Sequence, residues 1–303
     1  FEDMRAPTIS ELKVYGIFGY PLAHTVSPAI QNGAFDFHGL RAIYFAFERS
    51  PDRFRYLMRH IRSLVLSGFN VTVPYKWAVI KSLKKKLKLS SESRDVKAVN
   101  TVKKENGRWI GYNTDVYGFL TSLRKEGKFN PRRKTILVLG AGGAASAVAY
   151  GLGKRGADKI WVANRDRYVE RRKDLVSRLK RLFPETSFYD GSITDETFLK
   201  KALEDAHLVV NATSTSVQER FKTKRLISEG LIPKAKKGRN LLFFDLAYHE
   251  PTVFLKSAKK KGHKVLDGKG MLLYQGAKAF EIWTGRRAPI NQMRKALHDA
   301  LRS

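Results

Sequence analysis

The residues with the plainest chemical use lie in Thr135–Gly156, TILVLGAGGAASAVAYGLGKRG. Gly140, Ala141, Gly142, Gly143 and Ala144, with Ala145 behind them, fit the pattern G-x-G-x-x-A. There the first glycine makes a tight turn and the second lets the backbone approach a pyrophosphate. The third small residue lets the following helix lie close on a sheet. Backbone N–H groups and the positive end of the helix dipole then face the phosphates. The competing reading is an ordinary strand-to-helix turn with no ligand. Farther on come Asn164, Arg165, Asp166 and Arg167. In dinucleotide folds an acid near this point takes the ribose 2′-hydroxyl of NAD, and an arginine accommodates the 2′-phosphate of NADP. Asn164 is neutral, and a guanidinium grips phosphate bidentately. NADP is therefore preferred; Asp166, if turned inward, would repel the phosphate and permit NAD.

Placing these groups takes an alternation of strands and helices. Ile136–Leu139 is a short apolar run suited to a buried parallel strand. The small-residue helix follows it, then strands at 159–163, 208–210, 241–244 and 265–266, with helices at 167–182 and 251–261. That order argues for a parallel sheet covered on both faces. Lys128–Lys134 is basic, contains Asn130-Pro131, and reads as the hinge into this domain.

The front half carries its own candidates. Residues 1–10 read as a tail or strand lead-in, and 13–19 as a first strand. Thr25 and Ser27 stand in a loop; Ser27 before Pro28 also suits an N-cap with proline at the first helical position. A helix over 28–38 and a strand over 42–47 follow. The periodicity predicts a helix over 51–66, with Phe54, Leu57, Met58, Ile61 and Val65 on one face. In 68–76, Asn70 and Thr72 share one face of a strand that ends at Pro74. Lys76 opens the next helix, where a cation opposes the dipole; an ordinary surface lysine is the other reading. A strand over 96–102 leads through the Asn106-Gly107 hairpin turn to 108–111. Thr114 or Asp115 then begins a helix, and either could be no more than a cap.

At 303 residues the chain is long enough for two domains. Its 43% hydrophobic content suits a packed core. No apolar run reaches the length of a membrane span, and the first residues lack a signal peptide's apolar core. Without cysteine there is no disulfide, thiolate nucleophile or cysteine metal site. The seven histidines form no i, i+4 pair, so no metal is expected. The net charge of +30 suits anionic cofactors and substrates. Clusters such as Lys84–Lys86 and Lys259–Lys261 are dispersed and read as solvated faces. Specific nucleic-acid binding is disfavoured, because no recognised module accompanies the charge.

Several segments in order resemble the shikimate dehydrogenase family, which includes the quinate/shikimate dehydrogenases. They are Asn70-Val71-Thr72-Val73-Pro74-Tyr75-Lys76, Ala98-Val99-Asn100-Thr101, Asn113-Thr114-Asp115, the glycine loop, Asn164-Arg165, Asn211-Ala212-Thr213-Ser214, and Gly268-Lys269-Gly270-Met271 with Gln275. The likeness runs from about Val14 to Leu301. It implies a reversible, NADPH-linked reduction of 3-dehydroshikimate to shikimate, in the cytoplasm, by a monomer or homodimer without metal. The family's lysine acid/base falls on Lys76 and its aspartate partner on Asp115. Reducing a ketone delivers hydride to carbon and needs a proton donor at oxygen. An ammonium can both polarise that oxygen and donate to it, and a nearby carboxylate would position it. Contacts to the substrate carboxylate fall on Thr25 and Ser27. Contacts to the ring hydroxyls fall on Thr72, Asn100, Asp115 and Gln275, with Tyr248 near. Cofactor contacts fall on Gly140–Ala144, Asn164–Arg167, Thr213, Leu246 and Gly268.

The implied fold is α/β with two domains. An N-terminal α/β substrate domain comprises 1–114 plus 270–303, and a Rossmann-like, doubly wound parallel-sheet NADP domain comprises 115–269. The resemblance puts the active site in the cleft between them. Departures from the family pattern are Thr25 for the usual serine, Val116 for the glycine after Asp115, and Ser216 for a glycine near the nicotinamide. The methyl of Thr25 narrows the pocket and bears on the choice between shikimate and quinate. Two readings compete with an NADP-dependent shikimate dehydrogenase: a quinate/shikimate dehydrogenase using NAD or NADP, and a basic nucleic-acid-binding protein on the same fold.

Overall fold

The computed structural model describes residues 12–213, 227–236 and 240–302. The expected tail at 1–10, and Ser214 and Ser216, lie outside the described residues. Two compact units emerge. One runs up to Thr114 and resumes at Gly276; the other is Asp115–Gln275.

The first unit is built on a mixed six-stranded sheet. Its elements in order are β1 (Lys13–Gly19), α1 (Ser27–Phe37), β2 (Ala42–Glu48), α2 (Pro51–Arg59), β3 (Gly68–Val71), α3 (Tyr75–Leu83), β4 (Leu87–Leu89), α4 (Ser91–Val96), β5 (Thr101–Glu105) and β6 (Arg108–Tyr112). The strands lie in the order β2-β1-β3-β5-β6-β4. β1 pairs in parallel with β2 and β3, whereas β5 runs antiparallel to β3 and β6. Asn106 and Gly107, at φ 47° and 74°, make the expected hairpin. One core gathers Phe54, Met58 and Ile61 with Phe69, Tyr75, Val79, Val102 and Trp109. Tyr15 packs separately on Phe35 and Trp283, with ring centroids 5.3 and 4.9 Å away.

Three local expectations change. The helix predicted to reach residue 66 stops at Arg59; a 3₁₀ turn over Ile61–Ser63 follows, and Val65 is 75% exposed. The turn keeps Ile61 buried, while Ser67 N bonds to Val14 O and begins the approach to the sheet. Residues 96–100 are not a strand. Ser90 caps α4 by accepting from Ser93 N at 3.2 Å, and Lys97 then turns the chain at φ 54°. Ser27 is the first residue of α1, with Val26 in the capping position and no side-chain capping bond. The charged run Lys84–Lys86 is exposed, as expected of a solvated face, beside buried Leu87.

The second unit comprises α5 (Asp115–Lys125), β7 (Thr135–Leu139), α6 (Gly143–Lys154), β8 (Lys159–Asn164), α7 (Val169–Leu182), β9 (Ser187–Ser192), α8 (Glu196–Asp205), β10 (Leu208–Asn211), β11 (Leu242–Asp245), α9 (Val253–Lys260), β12 (Lys264–Leu266) and the start of α10 (Lys269–Thr284). The chain leaves this unit inside α10, between Gln275 and Gly276; α11 (Ile290–Ala300) belongs to the first. All neighbouring strands are parallel, in the order β12-β11-β10-β7-β8-β9. Counted from β7, that is the doubly wound order 3-2-1-4-5-6 read from the other edge. Alternate residues cover both faces. Leu137, Leu139, Val209 and Phe243 pack with α8 and α9, while Phe119 of α5 stacks on Phe244 at 5.4 Å. The sequence pattern announces neither β9 nor α8.

Candidate dinucleotide and substrate sites

β7 ends at the glycine loop, and β10 ends beside it. Gly140 sits at φ 117°, and a Cβ there would lie 2.9 Å from the Ala212 carbonyl oxygen and 3.3 Å from Thr213 N. Only glycine fits both the turn and that approach. α6 begins at Gly143 with Gly142 as N-cap and no side-chain capping bond. A Cβ on Gly142 would meet nothing within 4 Å, and Gly142, Gly143 and Ala144 are only partly buried. The helix start thus has no side-chain cap and open space beside Gly142, as main-chain phosphate binding requires. Strand order reverses between β7 and β10, the switch point where ligands of open α/β sheets bind.

A buried polar chain ties the neighbouring strand ends together. Thr213 Oγ1 and N donate to Asn211 Oδ1 at 2.7 and 3.1 Å. Asn211 Nδ2 donates to Asp245 Oδ1 at 3.0 Å, and Ala247 N donates to the same oxygen at 3.0 Å. Thr252 Oγ1 reaches Asp245 Oδ2 at 2.6 Å. Burial raises the Asp245 carboxyl above its ordinary value, with these three hydrogen bonds pulling the other way. Leu246 N bonds to Asn211 O, and Gly268 N to Ala247 O at 2.7 Å. The fold thus gathers Thr213, Leu246 and Gly268 at the same strand ends as the glycine loop. Tyr248 is half-buried on the loop that follows β11, and its phenol is pushed up to about 12 by desolvation.

At the end of β8, Gly140 N bonds to Ala163 O at 2.7 Å, which holds the two strand ends together. Asn164 is buried. Arg165, Arg167 and Arg171 surround the Tyr168 ring, with guanidinium carbons 5.3, 4.8 and 4.9 Å from its centroid. Asp166 turns toward β9: Ser192 Oγ donates to its Oδ2 at 2.8 Å, and Arg172 Nη1 lies 3.7 Å from its Oδ1. Sequence reasoning missed Arg171 and Arg172. For Arg171 a signal was available in its i, i+4 offset from Arg167 within the helix predicted over 167–182.

In the first unit the candidates converge on Asn100. Its Nδ2 donates to Thr114 Oγ1 at 2.9 Å, and its Oδ1 accepts from Thr114 N at 2.7 Å and Thr101 Oγ1 at 3.1 Å. Asn70 Nδ2 donates to Asn100 O and Thr101 Oγ1, both at 2.9 Å, and Tyr44 Oη donates to Asn70 Oδ1 at 2.7 Å. Lys76 lies in the first turn of α3, partly buried, with its carbonyl accepting from Val99 N at 2.9 Å. This bond fixes the start of α3 beside the segment that carries Asn100. Thr72 is partly buried, and its N bonds to Phe18 O at 2.9 Å. Thr25 is partly buried and Ser27 buried, with Ser27 N 3.5 Å from Thr25 Oγ1.

Asp115 and Gln275 belong to the second unit. Asp115 is the buried first residue of α5. One turn on, a Cβ at Gly118 would lie 2.7 Å from both Gln275 Cβ and the Met271 carbonyl oxygen, so α5 and α10 touch there. Gln275 Nε2 donates to Leu272 O at 2.9 Å within its own helix. Among the described residues no cluster of metal-ligating side chains occurs, and no helix is long and apolar enough to cross a membrane.

Sheet order, glycine turn and uncapped helix start define a Rossmann-type dinucleotide-binding protein with a second α/β unit. Three family models match along the chain: the shikimate dehydrogenase substrate-binding domain over residues 17–102, shikimate / quinate 5-dehydrogenase over 123–251, and the shikimate 5′-dehydrogenase C-terminal domain over 268–298. The chain belongs to the shikimate dehydrogenase family. It is 38% identical to the shikimate dehydrogenase (NADP(+)) of Methanopyrus kandleri over 97% of each chain. A shikimate dehydrogenase crystallised with NADP+ superposes with a TM-score of 0.82 at 33% identity, over 99% of each chain. The shikimate 5-dehydrogenase of Thermus thermophilus, in complex with NADP(H) and shikimate, gives 0.79 at 33% identity over 95% of this chain and all of that one.

Proposed function

We propose that this protein catalyses the reversible NADPH-dependent reduction of 3-dehydroshikimate to shikimate. The uncapped start of α6 beside Thr213 at the switch point carries the reading, in a chain whose relatives are NADP-dependent shikimate dehydrogenases. The main chain at Gly140–Ala144 would hold the pyrophosphate, Asn164–Arg167 the adenosine ribose and its phosphate, and Thr213, Leu246 and Gly268 the nicotinamide end. When bound, the reduced nicotinamide supplies hydride to the ring carbonyl carbon. Lys76 would place its ammonium on the carbonyl oxygen, polarise it, and deliver a proton as the alkoxide develops. Asp115 would orient that ammonium and accept from a ring hydroxyl. Thr25 and Ser27 would take the substrate carboxylate through their hydroxyls. Thr72, Asn100 and Gln275 would fix the ring hydroxyls, with Tyr248 alongside. For Asn100 the fit is physical: Thr114 N and Thr101 Oγ1 occupy its Oδ1, which orients the amide so that Nδ2 serves as a donor. The setting is a cytoplasmic biosynthetic enzyme acting as a monomer or homodimer.

The test is a nicotinamide absorbance assay that crosses shikimate and quinate with NADP and NAD. Shikimate oxidation with NADP as the preferred pair is the expected result. Quinate preferred over shikimate would move the protein to the quinate/shikimate branch, and DNA binding without turnover would overturn the enzyme reading.

A further inference from the structure

An acid stands close after the second strand of the dinucleotide sheet, at Asp166, where it would ordinarily recruit the ribose 2′-hydroxyl and repel a 2′-phosphate. Each of its oxygens has a partner on β9 or α7, one a hydrogen bond and the other a longer ion pair. Ser192 Oγ, at the end of β9, donates to Oδ2 at 2.8 Å. Arg172 Nη1, on α7, stands 3.7 Å from Oδ1. Arg172 is itself fixed, being 7% exposed. Its Nε donates to Asp190 Oδ2 at 3.0 Å and its Nη1 to Asn164 O at 3.1 Å. Ser192 Oγ is held in turn, within 2.8 Å of Thr194 Oγ1 and 3.2 Å from Thr194 N. Arg165, Arg167 and Arg171 meanwhile collect around Tyr168.

We propose that Ser192 and Arg172 are positioning residues for cofactor choice: they draw the Asp166 carboxylate toward β9 and α7, leaving the strand end to arginines that accept a 2′-phosphate. This rests on the NADP reading above and deepens it. An exposed aspartate swings freely about χ1 unless bonded. Turned toward the ribose, it would set a negative charge against the phosphate dianion. Held by a hydroxyl at one oxygen and countered by a buried guanidinium near the other, the carboxylate is drawn toward β9 and α7 and part of its charge is offset.

The experiment is calorimetric binding of 2′,5′-ADP and 5′-AMP, which need no ketone substrate and no turnover. Wild type should prefer 2′,5′-ADP. Ser192→Ala, at a partly exposed position, should weaken 2′,5′-ADP by about fivefold, the scale of one ordinary hydrogen bond, and leave 5′-AMP unchanged or tighter. Asp166→Asn should strengthen 2′,5′-ADP binding more in the Ser192→Ala background than in wild type, restoring the lost preference. Equal effects of Asp166→Asn in the two backgrounds, or a Ser192→Ala variant with unaltered discrimination, would overturn the proposal. So would a wild type that prefers 5′-AMP. A wild type that discriminates as expected but fails to oxidise shikimate would sink the functional reading and leave this one standing.

Discussion

The two sheets solve the same problem with different materials. In the mixed sheet, buried polarity is a web of neutral side chains, Tyr44, Asn70, Thr101, Asn100 and Thr114, linked across β2, β3, β5 and the chain after β6. In the parallel sheet the corresponding web, Thr213, Asn211 and Thr252, is built on a carboxylate, Asp245. The first arrangement orients side-chain donors and acceptors around Asn100. The second ties strand ends together beside the glycine loop. A neutral web costs nothing to titrate in the acid range, whereas a web on a buried acid depends on pH.

Four substitutions test that contrast. The largest effect is expected at Lys76, the proton donor of the proposed reaction. Lys76→Ala should lower kcat by about 10²–10⁴-fold, the range of general acid–base contributions, with a smaller change in KM. Unaltered kcat would remove Lys76 from proton transfer. Gly140→Ala attacks backbone geometry instead. At φ 117° and 2.9 Å from the Ala212 carbonyl, the added methyl should cost about 1–3 kcal/mol of strain and weaken NADP binding. Calorimetry showing native affinity would refute the cradle.

Asn100→Ala removes the hub of the neutral web and strands Thr114 N, which it accepts at 2.7 Å. Each buried group left unsatisfied costs about 1–3 kcal/mol, so the urea midpoint should fall equally across pH. The smallest effect is Asp245→Asn, where the comparison sharpens. Burial raises the Asp245 carboxyl above 3.8, so the folded state holds that proton more tightly than the unfolded chain. Stability therefore falls as pH rises from 3.8 through the raised folded value, and is flat above it. Replacing the acid by the amide should flatten that stretch of the melting-temperature profile. A profile identical to wild type would mean that Asp245 does not titrate there.

The second unit was the more legible in the sequence. Its nucleotide site is a local signal, a strand, Gly140-Ala141-Gly142-Gly143 and a small-residue helix, because main-chain phosphate binding is written in contiguous residues that tolerate close approach. The hairpin at Asn106-Gly107 was legible for the same reason, since positive φ selects those residues. The helix end at Arg59 was not, because periodicity continued through Ile61 and only the need to enter β3 stopped it. β9 and α8 were missed too: SFYDGS alternates too weakly to announce a strand, although Asp195 caps α8 through Phe198 N.

What the residues determined by themselves was the dinucleotide turn, the leaning to NADP from Asn164 and its flanking arginines, and the family likeness that singles out Lys76 and Asp115. What only the folded chain decided was which polar groups are held and by whom. Thr114 on Asn100, Thr252 on Asp245, and Ser192 with Arg172 on Asp166 are partners from other segments. Linear spacing carries no record of such pairings. They are fixed by strand order and register, which bring distant side chains within hydrogen-bond reach once the apolar faces have packed.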